Sequence, residues 1–83
     1  MRFTFTSLRY VGTFNIDGYP SRVLTANKPY LCVSRYLISG TFTEDICYSE
    51  HRTVNAAQRE ARRRKGIVVQ WSPFMGNRWE VLA

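Results

Sequence analysis

The sequence predicts a small α+β domain, a mostly antiparallel sheet of five to six strands with one helix packed on one face. Three observations lead to this prediction. Stretches in which apolar residues alternate with polar ones recur along most of the chain, a period typical of strands. One segment, residues 54–65, has no glycine or proline and a single β-branched residue, which favours a helix. The chain has 83 residues without a repeat or linker, so residues 1–83 are expected to form one basic domain.

The first hairpin is predicted from residues 3–16 and 22–26. Apolar and polar residues alternate over residues 3–16, with a change of phase near Ser7 that predicts a bulge or a break in the strand. Asp17-Gly18 follows, and it is a strong hairpin-turn signal because glycine tolerates the positive φ that such turns need. Residues 22–26 are then expected to return alongside the first strand.

Two further strands are predicted before the helix. Residues 30–39 are dense in β-forming side chains and are interpreted as the central strand, which Gly40 ends. Residues 41–48 predict a fourth strand. Within it, Glu44 and Asp45 mark a bulge or a loop tip, where they are either solvated or partners for the arginines of the helix.

The helix has a predicted start and a predicted end. Thr53 can cap it, because its hydroxyl can accept a backbone N–H of the first turn. Gly66 is expected to supply the left-handed residue that ends the helix. At about 100° per residue, three small apolar residues share one narrow side and would let the helix lie close on the sheet. These residues are Val54, Ala57 and Ala61.

Two strands are predicted after the helix, at residues 67–71 and 78–82, joined by a loop over residues 72–77. Trp71 and Trp79 are expected to lie across from each other, since aromatic cross-strand pairs are common stabilisers. The complete predicted order is β-β-β-β-α-β-β.

The formal charge of +6 is concentrated in the helix. Residues 51–66 hold six cations and one acid, which gives +5, whereas the rest of the chain holds six cations and five acids, which gives +1. A concentrated patch argues for an anionic partner better than a diffuse excess does. The six cations, which we call the cationic ridge, are the predicted partner- or nucleic-acid-binding residues. They are Arg52, Arg59, Arg62, Arg63, Arg64 and Lys65.

Two explanations of the cationic ridge are left open. Cations in a last helical turn are stabilised by the helix dipole, and Glu60 to Arg64 has the favourable i, i+4 order, so the ridge could be a solvated helix end. Against this, Arg59 and Arg63 are like charges at i, i+4, and only one acid relieves the crowding. On a helical wheel Arg59 and Arg63 point away from the apolar side, with Arg62 on the flank. These three arginines carry the binding hypothesis.

No catalytic signature is found in the sequence, so a non-catalytic protein is predicted. A nucleophilic site would need Cys32 or Cys47 beside His51, the one histidine, and no third orienting residue is evident. The same three residues offer too few ligands, at unsuitable spacing, for a structural zinc site. No metal or cofactor is expected. Whether Cys32 and Cys47 form a disulfide is left open, although a reducing cytosol would keep them as thiols.

The expected partner is a nucleic acid, DNA or RNA, or a host protein complex. Arginine suits both, because its guanidinium can meet two phosphate oxygens, a guanine edge or a carboxylate. Phe74 and Met75, in an apparent loop tip, are candidate apolar contacts, with Trp71 and Trp79 as further anchors on a protein. A homodimer through an edge strand is left open. No segment approaches the roughly 18 apolar residues of a membrane span, so a cytoplasmic protein with no membrane partner is expected.

A resemblance covers the C-terminal part of the chain, which reads SEHRTVNAAQREARRRKGIVVQWSPFMGNRWEVLA. This segment resembles an arrangement in very small bacteriophage proteins, in which a Thr- or Ser-capped helix rich in Ala and Arg precedes a hairpin ending in a Trp-containing strand. Some phage-encoded anti-CRISPR proteins are similar in size and architecture. The resemblance implies a phage-encoded inhibitor or accessory factor that docks on host nucleic-acid-handling machinery in the host cytoplasm. The alternative hypothesis is a protein that binds nucleic acid directly, mainly through phosphates.

Overall fold

The computed structural model describes residues 9–74 and 76–82 of the chain. Its strands and helix are β1 (Tyr10–Phe14), β2 (Arg22–Ala26), β3 (Tyr30–Leu37), β4 (Glu44–His51), α1 (Val54–Arg64), β5 (Ile67–Ser72) and β6 (Arg78–Val81). This order and the single sheet confirm the predicted α+β class. The predicted strand residues before Arg9, including the phase change near Ser7, lie outside the described residues, as does Met75. The described part of the chain contains no helix long and apolar enough to cross a membrane.

The six strands form one mixed sheet in the order β2-β1-β6-β5-β3-β4. All neighbouring strands are antiparallel except β1 and β6, which run parallel with Thr13 opposite Arg78. The prediction that β3 is the central strand is wrong, because β3 lies one strand in from the edge, between β4 and β5. After α1 the chain returns beside β3 and then places β6 against β1, so β5 and β6 occupy the middle of the sheet.

The loop between β1 and β2 contains the predicted turn at Asp17-Gly18. The Tyr19 backbone N–H donates to the Ile16 carbonyl oxygen at 3.1 Å, and Gly18 has a φ of 85°. Glycine adopts a positive φ at the third position of such a turn without a steric penalty. Because Ile16 closes this turn, β1 ends earlier than predicted, at Phe14.

The turn between β3 and β4 contains Gly40, as predicted, but the loop is longer than predicted, because β3 already ends at Leu37. The Ile38 backbone N–H donates to the Thr43 carbonyl oxygen at 2.9 Å, and Gly40 turns the chain with a φ of 77°. Strand β4 therefore begins at Glu44. Glu44 and Asp45 lie in a regular antiparallel ladder, so the prediction that they mark a bulge or a loop tip is wrong.

The two acids at the start of β4 form ion pairs with arginines of the sheet. Asp45 Oδ1 lies 3.4 Å from Arg22 Nη2, and Glu44 Oε2 lies 3.8 Å from Arg35 Nη1. The hypothesis that these acids are partners for the arginines of the helix is therefore wrong, because both carboxylates point to arginines on β2 and β3.

Most of the buried core lies on the face of the sheet opposite α1. Successive residues of a strand point to opposite faces, so each strand contributes alternate residues to this core. The core cluster consists of Phe14, Leu24, Ala26, Leu31, Val33, Val69 and Trp79. On the other face, α1 packs across β3, β4 and β5, and Ala57 is buried there together with Cys32 and Val68. The helix thus covers the face of the sheet that contributes fewer residues to the core. The predicted arrangement, a helix packed on one face of a sheet, does not include a larger core on the opposite face.

The sheet is curled so strongly that side chains join its two edge strands. The Tyr48 hydroxyl donates to the Thr25 carbonyl oxygen at 2.8 Å. The Asn27 backbone N–H donates to Glu50 Oε1 at 2.5 Å. The ion pair between β2 and β4 spans the same gap. Since β2 and β4 are the first and last strands in the sheet order, these contacts close over the core.

The two tryptophans lie opposite each other on β5 and β6, as predicted. Trp79 is only 2% exposed and donates its indole N–H to the Leu24 carbonyl oxygen at 3.2 Å. Trp71 donates its indole N–H to the Val11 carbonyl oxygen at 3.0 Å and meets the Tyr10 ring edge-to-face, with ring centroids 5.2 Å apart. Trp79 is buried in the core, so its predicted use as an anchor for a protein partner is wrong. Trp71 is half-buried against the core, and its use as an anchor stays a prediction.

Candidate binding surface on the helix

Helix α1 begins at the predicted cap. Thr53 has extended backbone angles, and its Oγ1 accepts the Ala56 backbone N–H at 3.2 Å. Ala57 is fully buried, while Val54 and Ala61 are half-buried. The small apolar side therefore faces the sheet as predicted, which fixes the rotation of the helix about its axis.

The end of α1 differs from the prediction. Lys65 adopts the left-handed conformation, with φ 55° and ψ 43°, so the role predicted for Gly66 is wrong. The Gly66 backbone N–H donates to the Ala61 carbonyl oxygen at 3.1 Å. A Cβ atom on Gly66 would lie 2.5 Å from the Val33 carbonyl oxygen. Glycine is needed here because the chain passes close to the backbone of β3, not because the helix must turn.

One side of α1 carries an acid that holds two arginines. Glu60 Oε1 lies 2.6 Å from Arg64 Nε, which is the predicted i, i+4 pair, and 2.7 Å from Arg63 Nη2. The hydrogen bond from Arg63, helped by the charges of Arg63, Arg64 and His51, lowers the pKa of Glu60 below its ordinary value, although desolvation opposes the shift. Arg63 is therefore tied back to its own helix, which sequence reasoning did not foresee for a residue chosen as a binding candidate.

Another side of α1 carries two arginines and no acid. We call its four residues, Asn55, Gln58, Arg59 and Arg62, the polar stripe. They stand at i, i+3, i+4 and i+7 and line a shallow depression of about 300 Å³. Asn55, Arg59 and Arg62 are exposed, and Gln58 is half-buried. Within residues 9–74 and 76–82, no ion pair involves Arg59 or Arg62.

Sequence reasoning missed the two amides of the polar stripe, because it considered charged and apolar side chains only. The signal was present in the sequence. Asn55 precedes Arg59 by four residues and Gln58 precedes Arg62 by four, so the amides stand one turn before the arginines. A search for polar residues at helical spacing would have found them.

An apolar groove of about 360 Å³ borders the polar stripe. It is lined by Gln58, Ala61, Arg62, Gly66, Ile67, Val68, Val81 and Leu82. These residues place the groove where α1 meets β5 and the end of β6. The stems of Gln58 and Arg62 can therefore lie against apolar surface while their polar ends face water.

The remaining members of the cationic ridge lie near the ends of α1. Arg52 is exposed just before the cap. Lys65 is exposed after the last turn, and with Arg64 it lines a depression next to Tyr36 of the β3–β4 hairpin. The structure thus divides the ridge into the arginines of the polar stripe, the pair held by Glu60, and one cation at each end of the helix.

The two cysteines are free thiols in different surroundings. Cys32 is buried under α1, and burial is the main cause that raises the pKa of its thiol. Cys47 is exposed, with Sγ 3.2 Å from Ser34 Oγ. His51 stands four residues from Cys47 along β4, about 13 Å by strand rise, and its Nε2 lies 2.8 Å from Ser49 Oγ. In the described residues, no group of three or more His, Cys, Asp or Glu side chains is placed to hold a metal ion.

Large exposed apolar side chains are found on loops of the sheet. Phe74, a predicted contact residue, is 69% exposed, whereas its predicted companion Met75 lies outside the described residues. Phe42, at the tip of the β3–β4 hairpin, is fully exposed and was not predicted. These rings are separate from the depression that the polar stripe lines.

Comparisons with known proteins were made against family models, curated proteins and solved structures. No family model matches the chain, and neither a curated protein nor a solved structure matches it. These results neither support nor contradict the resemblance to small phage-encoded proteins, which stays a prediction based on the C-terminal residues.

Proposed function

We propose that the protein is a non-catalytic binding module that holds nucleic acid by its phosphate backbone, through the exposed face of α1. The observation that carries the proposal is that Arg59 and Arg62 are exposed on a side of α1 without an acid. A guanidinium can donate two parallel hydrogen bonds to the oxygens of one phosphate. Two guanidinium groups one helical turn apart offer such contacts at a fixed spacing.

The distribution of ion pairs supports the proposal. On the sheet, three arginines each have a carboxylate partner, and on α1 Glu60 pairs with two more. These five arginines are Arg22, Arg35, Arg78, Arg63 and Arg64. Within the described part of the chain, four of the six acids thus form ion pairs with these five arginines and none with Arg59 or Arg62, while residues 51–66 keep +5 of the total charge of +6. A field of this kind attracts a polyanion and accelerates its association.

A salt series on duplex DNA tests the proposal. Phosphate contacts by the four cations of the ridge that Glu60 does not hold predict a slope of about −3 to −4 in a plot of log affinity against log salt concentration. These cations are Arg52, Arg59, Arg62 and Lys65. The double variant R59Q/R62Q should reduce the magnitude of that slope by about two, since each contact contributes about 0.9. The control R35Q/R78Q removes the same charge from the sheet and should leave the slope nearly unchanged.

Two results would overturn the proposal. The first is an absence of binding to duplex and single-stranded DNA even at low salt. The second is an equal loss of slope in both double variants, because α1 would then contribute only to the overall charge of the protein.

A second candidate function is docking on host nucleic-acid-handling machinery as a phage-encoded inhibitor or accessory factor, in the host cytoplasm. The observation that favours it is the exposure of Phe42 and Phe74, because aromatic residues are enriched in protein interfaces. A pull-down from nuclease-treated host lysate separates the two functions. A specific protein that is retained after nuclease treatment and lost with F42S or F74S supports docking. Recovery of nucleic acid alone from untreated lysate supports direct binding.

A further inference from the structure

The amides of the polar stripe have a chemistry that phosphate binding does not use. We infer that α1 enters the major groove of double-stranded DNA and reads base edges there. Asn55 and Gln58 pair with adenine, and Arg59 and Arg62, which hold phosphates on other sequences, pair with guanine at a matching site. This inference rests on the proposed function and adds sequence recognition to it.

The four side chains of the polar stripe are those whose hydrogen-bonding groups match base edges. A carboxamide donates to adenine N7 and accepts from the adenine N6 amino group, and a guanidinium donates to guanine O6 and N7. A phosphate offers acceptors only, so the carbonyl oxygens of Asn55 and Gln58 would have no partner on it. The combination of two amides with two arginines therefore fits base edges better than it fits the backbone alone.

The polar groups of the stripe are available to a ligand. Among the side-chain hydrogen bonds of the described residues, none engages the side chain of any member of the stripe. Arg63, by contrast, is held by Glu60 at 2.7 Å. The structure therefore presents these two amides and two guanidinium groups without a competing acid in the depression they line.

The dimensions of α1 suit the major groove. From Asn55 to Arg62 the helix rises about 10 Å, which equals about three base-pair steps of 3.4 Å and so spans about four base pairs. The groove is about 12 Å wide and admits an α-helix. Arg52 and Lys65, at the two ends of α1, are placed to contact the phosphates that flank those base pairs.

The helix is also held firmly, which base reading requires. Ala57 is fully buried against the sheet, Thr53 caps the first turn, and Gly66 brings the following strand into close contact with β3. Recognition side chains on a packed helix are placed more accurately than side chains on a loop. The four side chains of the stripe therefore project from a helix whose position on the sheet is fixed.

Duplex DNA fits the stripe better than RNA does. The major groove of an RNA helix is too deep and narrow for side chains to read, and single strands are recognised chiefly by stacking on rings. No aromatic side chain lines the depression of the polar stripe. Both facts favour B-form DNA as the partner of this surface.

The inference is tested by selecting bound sequences from a pool of random duplexes and sequencing them. Fluorescence anisotropy then measures the affinity for the selected site and for a scrambled duplex. Wild-type protein should enrich a motif of about four base pairs that contains both adenine and guanine contacts. N55A/Q58A should lose at least about tenfold in the ratio of the two affinities, while its affinity for the scrambled duplex stays within about twofold. The matched control N77A, on the loop before β6, should keep the wild-type ratio.

Each outcome decides between the two proposals. Binding of all duplexes with no enriched motif, or a motif retained by N55A/Q58A, overturns base reading and leaves phosphate binding intact. Equal affinity for duplex RNA and duplex DNA also overturns base reading. Absence of binding to any duplex at low salt overturns the inference, and absence of binding to single-stranded DNA as well overturns the proposed function with it. Far-UV circular dichroism checks that both variants are folded, which is expected for N55A/Q58A because alanine is the best helix former.

Discussion

The two sides of α1 use the same residue type in opposite ways. On one side Glu60 holds Arg63 and Arg64 at 2.7 and 2.6 Å. On the other side Arg59 and Arg62 stand beside two amides and no acid. Five cations in seven residues therefore do not have one role, although their sequence suggests a uniform basic patch.

This difference shows that the placement of one carboxylate decides which arginines can serve a partner. An arginine bound to its own helix must break an ion pair before it meets a phosphate, whereas an exposed arginine with no acid beside it need not. Binding energy is therefore expected to depend on Arg59 and Arg62 more than on Arg63. Substitutions that displace the whole helix should disturb both sides of α1, and removal of the Glu60 carboxylate should make the two sides alike.

The largest expected effect comes from Gly66→Ala, which disturbs both sides at once. The added Cβ would lie 2.5 Å from the Val33 carbonyl oxygen, so the start of β5 must move away from β3 and α1 must move with it. We expect the free energy of unfolding to fall by about 1–3 kcal/mol. Urea unfolding followed by tryptophan fluorescence measures this loss, since both indoles lie in or against the core.

A neighbouring substitution serves as the control. Lys65 carries the left-handed backbone, which costs a residue other than glycine roughly 1–2 kcal/mol. Lys65→Gly should therefore raise the free energy of unfolding by about 1 kcal/mol. A neutral Gly66→Ala, or a destabilising Lys65→Gly, would contradict the roles that the structure gives these two residues.

An intermediate effect is expected from Glu60→Gln, which makes the two sides alike. Without the carboxylate, Arg63 and Arg64 can turn to a phosphate, so the affinity for duplex DNA should rise roughly three- to tenfold at low salt, with a slope steeper by about one to two. Glu80→Gln is the matched control, because it releases Arg78 on the sheet. An equal gain from both variants would contradict the special place of Glu60.

The smallest effect is the pH dependence of the same ion pairs. The pKa of Glu60 is lowered in the folded protein by the hydrogen bond from Arg63 and by the nearby charges. The stabilisation is therefore present above the ordinary glutamate value of about 4.3 and is lost as the pH falls through the lowered pKa. We expect the difference in Tm between wild-type protein and E60Q to be small at neutral pH and to shrink below about pH 4.3. Thermal melts over that range would contradict this if the difference grew in acid.

The features predicted correctly from the sequence depend on residues that are near one another along the chain. The Thr53 cap, the turn at Gly18 and the cross-strand pair of Trp71 and Trp79 each arise within one turn, one loop or one hairpin. Their physical causes act over a few residues, so a local pattern is sufficient to find them. The order of elements follows from the same local signals.

The features that were missed depend on contacts between distant residues. No local pattern places Thr13 beside Arg78 in a parallel pair, or the main core on the face away from α1. The backbone contact that requires Gly66 is likewise a contact with β3, far back in the chain.

The candidate surface was found only in part for a similar reason. A helical wheel gives the direction of each side chain, but Glu60 can reach partners at i+3 and i+4, and the wheel does not show that it holds both. Arg63 was therefore chosen as a binding residue although it is paired. The polar stripe is defined by a shared depression and, among the described residues, by the absence of ion pairs at Arg59 and Arg62, neither of which a sequence pattern contains.

The contacts that join the two edge strands have a consequence for cooperativity. Tyr48 and Glu50 reach from β4 to Thr25 and Asn27, and β4 leads directly into α1. The first hairpin is therefore hydrogen-bonded to the strand that precedes the helix. Local unfolding of this hairpin removes contacts that hold β4 and, through β4, the start of α1. Segments far apart in the sequence open and close as one unit, and the helix can present its arginines only while the N-terminal hairpin is folded.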